Sequence, residues 1–143
     1  MPRNQLKRLS LKAQTTEDLS VISGSVQDSI LQIKSIIFNG KTRSLTLALQ
    51  RYRYEVAEPS RISSALRFDD VLSVKSSAID KSKTDAFLVL LSLEFTETDK
   101  PSGLVTLSFS GGGKLIVEVE CLEVMLLDQG LPWVAKSIPD HSG

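Results

Sequence analysis

The chain has 143 residues with 17 basic and 17 acidic side chains, one His and one Cys, a length that suits a single domain with a real core. Its 41% hydrophobic content excludes wholesale disorder, and the absence of any apolar run of about 18 residues excludes a membrane-spanning helix. One Cys can form neither an internal disulfide nor a paired-cysteine zinc site, and one His leaves no histidine metal cluster.

The first 13 residues hold Arg3, Lys7, Arg8 and Lys12 without an acid. They lack the unbroken apolar stretch of a secretory signal, and Leu9 and Leu11, two apart, predict a short strand with serine and lysine facing water. With its lone thiol, the chain is expected to be cytoplasmic. Thr15-Thr16 then supplies an N-cap hydroxyl, with Glu17 and Asp18 in a first turn whose dipole favours negative charge. Leu19, Ile22, Val26 and Ile30 recur at spacings of three and four, which predicts an amphipathic helix ending near Asp28.

Strands follow. Leu31–Phe38 is isoleucine-rich, and Asn39-Gly40 after it predicts a hairpin, since both residues tolerate positive φ. Arg43–Glu55 is the return strand, with Leu45, Leu47 and Leu49 on one face. Past Gln50 the pattern inverts. Arg51 and Arg53 take the leucine parity while Tyr52 and Tyr54 take the polar one, so a bulge near Gln50 is expected to swap the faces.

Glu58-Pro59-Ser60 predicts a turn. Arg61–Phe68 places Ile62, Leu66 and Phe68 inward, with Arg61, Ser63, Ala65 and Arg67 outward. Val71–Lys75 is a further short strand, 78–85 a loop, and Ala86–Thr96, continuously apolar from Phe87 to Leu91, is expected to be the most buried strand. Asp99–Gly103 is a loop by composition. Leu104–Phe109, a triple glycine at Gly111–Gly113, and Lys114–Cys121 form a second hairpin. Leu122–Asp128 reads as a strand extension or as two helical turns stopped by Gly130, the helix being preferred. Trp133 is expected to lay its indole on the body, and 139–143 to fray.

The candidate chemistries are weak. Ser110–Lys114 has the glycines of a phosphate loop, but such loops lie between a strand and a helix, and here strands flank both sides. Cys121 shares the parity of Leu115, Val117 and Val119, which predicts a buried, slow thiol. The only His, His141, lies near the C-terminus and provides no base for it. Asp69-Asp70, Asp80 and Asp85 could hold a hard cation if they converged, yet their spacing matches no calcium loop. Glu118 and Glu120 read as solvated strand positions.

Charge is uneven along the chain. Residues 1–68 carry 11 Lys/Arg against 5 Asp/Glu, and residues 69–143 carry 6 against 12. Arg51-Tyr52-Arg53-Tyr54 interleaves cations with aromatics, as nucleic-acid surfaces do. Strand alternation nonetheless sends the two kinds to opposite faces, so nucleic acid is not the expected partner. If 55–60 is the connecting turn, Arg53 falls near Arg61 across the ladder. Arg51, Arg53, Arg61 and Arg67 then make a basic patch whose two-pronged donors suit carboxylates or phosphates. Neutralisation of these arginines by acids from the second half of the chain is the competing expectation.

Several stretches together carry a family resemblance: Glu17-Asp18-Leu19 with Ile22-Ser23 and Gln27-Asp28, Ala65–Phe68, Ala78–Ser82, Phe109–Gly113, Val117–Glu123, and Asp128, Gly130, Pro132 and Trp133. Across residues 5–139 the chain resembles a bacterial family of uncharacterised proteins of about this length. The triple glycine and the Val-Glu-Cys stretch are the most specific parts. That family is a domain of unknown function, so the resemblance implies no activity, cofactor or catalytic residue.

The expected fold is α+β: one domain over 1–143, ordered from about 5 to 135. One N-terminal amphipathic helix accompanies about six or seven antiparallel strands in a curled sheet or partly closed barrel. The expected function is a non-catalytic binding or protein-interaction module, with no cofactor, no metal, no catalytic residue and no membrane. Self-association is among the options for its partners. The alternative is a small enzyme or metal-dependent binder using carboxylates and arginines at an open end of the barrel. Convergence of Asp69-Asp70 with 80–85 on a pocket would favour that alternative.

Overall fold

In the computed structural model, residues 8–136 and 138–139 are described. Strand β1 (Ser10–Ala13) leads into helix α1 (Thr16–Val26). The Thr15 hydroxyl caps the helix by accepting from the Asp18 N–H at 3.1 Å, and Glu17 and Asp18 occupy the first turn. Leu19, Ile22 and Val26 are buried, so a helix weakened by Gly24 and its serines is held by packing rather than by propensity.

The sheet continues with β2 (Ser29–Gln32), β3 (Ile36–Asn39), β4 (Ser44–Tyr52), β5 (Ser60–Phe68) and β6 (Val71–Ser77). Strands β7 (Phe87–Glu97), β8 (Gly103–Phe109), β9 (Lys114–Val119) and β10 (Val124–Val134) complete it. Among the described residues the ten strands form one sheet in the order β1-β10-β5-β4-β2-β7-β8-β9-β6, with β3 beside β4, and every pairing is antiparallel. The expected six or seven strands are therefore too few. The sheet is not closed, since β1 and β6 stand at its two ends. Both halves still share one buried cluster: Leu45, Leu47, Leu66 and Phe68 with Leu107, Phe109, Val117 and helix residues Leu19 and Ile22. Each such aliphatic side chain contributes roughly 1.5–3 kcal/mol. No helix of the described residues is long and apolar enough to cross a membrane.

Several local expectations change. The run 31–38 is not one strand. A 3-10 turn at Ile33–Ser35 divides it, with the Ile33 and Lys34 N–H groups bonded to Ala86 and Thr84 carbonyls. This step lets β2 pair with both β4 and β7, while β3 continues along β4 alone. The β3–β4 hairpin forms, but Asn39 pairs with Ser44 and its side chain accepts from Lys41 N–H at 3.0 Å. The left-handed residue of that turn is Arg43 (φ 53) rather than the Asn-Gly pair.

No bulge interrupts β4 at Gln50. Its register with β5 runs unbroken from Leu45↔Phe68 to Tyr52↔Arg61. Arg51 and Arg53 therefore keep the inward parity of the leucines, and they are 0% and 1% exposed. Leu122–Asp128 belongs to no helix. Leu122, Val124, Leu126 and Asp128 are buried in alternation, a two-residue period that fixes β10 as a strand. Gly130 (φ 70) sits where β10 slips register between Gln129 and Trp133.

Cys121 lies past the end of β9 and is only half-buried, because the chain turns there and strand parity no longer sets its side. The triple glycine is a turn between β8 and β9, with Gly111 at φ 81 and Gly112 at φ 92. His141 and most of the tail expected to fray fall outside the described residues.

Candidate functional site

The β4–β5 hairpin carries different chemistry on its two faces. On the inner face, Arg51 Nε donates to Asp128 Oδ1 at 2.9 Å and Nη2 to Oδ2 at 2.7 Å. Its outer nitrogens grip Glu55, Nη1 to Oε1 at 2.9 Å and Nη2 to Oε2 at 2.7 Å, and Nη1 also reaches the Tyr52 carbonyl at 3.4 Å. All five guanidinium N–H donors are thereby used. Desolvation works against the charge on Arg51, yet the bonds to Glu55 and Asp128 outweigh it and hold the group above the ordinary arginine value. Burial likewise pushes the Asp128 carboxyl up. Donation from Arg51, from Ser64 Oγ and from Leu9 N–H overrides that and holds it below the carboxylate range. Arg53 stands beside this clamp, its Nη1 3.3 Å from Ser60 Oγ and its Nε 3.9 Å from Glu55.

Arg61 points to the opposite, outer face. Directly across the ladder lie Tyr52 on β4 and Trp133 on β10, and its guanidinium carbon sits 5.6 Å from the Tyr52 ring centre. Nη1 donates to two carbonyls, Asp28 O at 3.1 Å and Gln50 O at 3.0 Å. No carboxylate among the described residues lies within 4 Å of Arg61, and its Nε and Nη2 donate to nothing there. Yet the residue is only 8% exposed. Desolvation pulls it below the ordinary arginine value, opposed by the nearby Asp28 charge. The Asp28 carboxylate itself accepts from Tyr54 OH. Burial and that bond raise the Tyr54 phenol far above its usual value.

Arg61 lines an open concavity of about 530 Å³ with Ile30, Gln50, Trp133, Val134 and Lys136. Beyond it the outer face continues as a row across four strands, Ile30–Gln50–Ser63–Gln129, which floors a second depression of about 200 Å³. Leu131 (70% exposed), Trp133 (40%) and Val134 (69%) border the larger concavity or lie beside it on β10.

The expected four-arginine patch is thus divided. Arg51 and Arg53 face inward, and Arg61 faces outward against Tyr52 rather than against Arg53. Arg67 lies further along the outer face, exposed and paired with Asp69 at 3.0 Å. The expected neutralisation by acids of the second half holds for Arg51 through Asp128 and for Arg67 through Asp69.

The acidic segments do not converge. Asp70 accepts from Cys121 Sγ at 3.2 Å, Asp80 holds Ser82 N–H and Oγ, and Asp85 pairs with Lys34 at 2.8 Å. Among the described residues no three His, Cys, Asp or Glu side chains gather as metal ligands. Glu120, expected merely to be solvated, pairs with Arg43 at 2.6 Å. Trp133 is 40% exposed, so it covers the body only in part. Its approach to Arg61 escaped the sequence because it depends on the register slip at Gly130. The one available signal was that glycine between two strand-like runs.

Residues 9–141 match the family described as "Protein of unknown function (DUF2948)", as the resemblance across 5–139 implied. No curated protein and no solved structure matches the chain.

Proposed function

The chain belongs to the family that its residues 9–141 match, and we propose that it acts as a non-catalytic, cytoplasmic binding module for a protein partner. The partner docks on the outer face of the β5–β10 ladder, beside Arg61 and Trp133. One observation carries this reading: an exposed apolar border of Leu131, Trp133 and Val134 next to a concavity lined by Arg61, a buried cation that forms no ion pair within 4 Å among the described residues. Apolar side chains around a charged group are the composition of an interface centre. The separate local engagement of Asp70, Asp80 and Asp85 gives the enzyme alternative no converging site.

The test is affinity capture from the source cell with the intact protein, read by mass spectrometry. A Leu131→Asp/Trp133→Asp variant is expected to lose a partner that a Phe38→Asp variant retains. Phe38 is also exposed (44%) but lies on β3. A partner retained equally by both variants contradicts the reading.

A further inference from the structure

Three features of the molecule stand outside the core and the inner clamp. One is an apolar cavity of about 310 Å³ between Ile33, Ile36, Val74, Ile79 and Leu115. Another is the Cys121–Asp70 pair. The third, the Arg61 concavity, combines charge, burial and unused donors.

A guanidinium on a residue only 8% exposed, with no carboxylate of the described residues within 4 Å, costs stability unless something else meets it. Two main-chain carbonyls meet Nη1 and fix the plane of the group. That leaves Nε and Nη2, the side edge whose two N–H bonds run parallel and match the spacing of carboxylate oxygens. Lys136 adds a second cation at the rim, and Ile30, Trp133 and Val134 supply apolar walls. A tetrahedral phosphate gains less here, since the arginine edge offers only two donors and, Gln50 and Lys136 apart, the remaining lining is apolar.

We propose that the concavity receives a carboxylate carried on an apolar body, with Arg61 Nε and Nη2 as its two-pronged donors. This rests on the partner-docking reading and deepens it: a polypeptide whose last residue is apolar carries both features in one unit. A small free acid with a hydrocarbon body carries them as well, and the same titration separates the two sources.

The experiment is calorimetric titration of the intact protein with four probes: an acetylated tripeptide ending in phenylalanine as the free acid, the same peptide amidated, phenylacetate, and inorganic phosphate. The chain has one Trp, so Trp133 emission gives an independent readout. The carboxylate probes are expected to bind at least about tenfold more tightly than the amide or phosphate, as loss of one charged hydrogen-bonded pair implies. Peptide acid tighter than phenylacetate identifies the polypeptide source, and the reverse identifies a small acid; either supports the site. Arg61→Gln is expected to abolish the difference between acid and amide. Because Arg61 also holds two carbonyls, Val134→Glu provides a second variant. It brings a tethered carboxylate to the rim at an exposed position, and should block the probes with the melting temperature preserved.

Equal binding of acid and amide, no binding of any carboxylate, or full affinity in a folded Val134→Glu protein would overturn the proposal. Loss of carboxylate binding in these assays, with the captured partner still dependent on Leu131 and Trp133, would remove the carboxylate site alone. Carboxylate binding with no such partner would remove the docking reading alone.

Discussion

Arg51 and Asp128, 77 residues apart in sequence, meet side-on in the interior, with two nitrogens on two oxygens at 2.9 and 2.7 Å and neither side chain exposed. Asp128 also takes Leu9 N–H at 2.8 Å and Ser64 Oγ at 2.6 Å. One carboxylate therefore ties β4, β5, β10 and the approach to β1. Removing it leaves a buried guanidinium uncompensated on that side. Asp128→Ala is expected to cost about 3–5 kcal/mol, whereas exchanging both partners for apolar side chains costs much less than the two single changes summed. Urea unfolding of the cycle checks this, and simple additivity would refute the clamp.

The same pair sets an acid limb. Asp128 and Glu55 are both held below their ordinary values in the fold, burial being outweighed by the bonds from Arg51. A depressed carboxyl contributes stability that is complete above its unfolded value, near 4, and is lost as pH falls through the folded one. Unfolding free energy should therefore drop with acid below about pH 4, and Asp128→Asn should flatten that limb while leaving neutral-to-alkaline behaviour parallel to wild type. A limb of unchanged slope in the variant would contradict the assignment.

How much of this the residue pattern disclosed depends on the range of the interaction. Helix α1 was legible because its cap, Thr15, and its stripe, Leu19, Ile22 and Val26, are local. The hairpins at Asn39-Gly40 and Gly111–Gly113 were legible for the same reason. The face of Arg51 was not. A charged residue on a leucine parity suggests a bulge until its partner is known, and that partner lies on β10. Leu122–Asp128 misled in the same way, since Asp128 interrupts an apolar run unless its bond to Arg51 is counted. Arg61 was named as a candidate, but its register neighbours are Tyr52 and Trp133, and the slip at Gly130 that brings Trp133 across leaves only a glycine as its trace.

Two glycines should respond oppositely to alanine. A Cβ at Gly103 would lie 2.5 Å from the Phe95 ring and 2.6 Å from Thr96 O, so Gly103→Ala should lose about 1–3 kcal/mol through overpacking. At Gly24, within α1, a Cβ meets nothing within 4 Å, and Gly24→Ala should gain about 0.5–1 kcal/mol from helix propensity. Thermal unfolding of both, side by side, checks the sign; the same sign at both positions would contradict the packing described.

Cys121 should label slowly for an electrostatic reason rather than for deep burial. Its thiol donates to Asp70, and that bond, then burial, then the charges of Asp70, Glu123 and Glu120 raise it above its ordinary value. At neutral pH the native protein should react more slowly with a thiol reagent than the unfolded chain, and Asp70→Asn should accelerate it by shifting the pH–rate curve downward. An unshifted curve would remove Asp70 from the account.

The docking face is tested most directly by hydrogen exchange of the intact chain with and without its captured partner. Added protection is expected to be confined to 60–63 and 129–136, where β10 slips register and its amides have room to slow further. Protection appearing instead over 36–39 or at the β6 edge, with 129–136 unchanged, would contradict it.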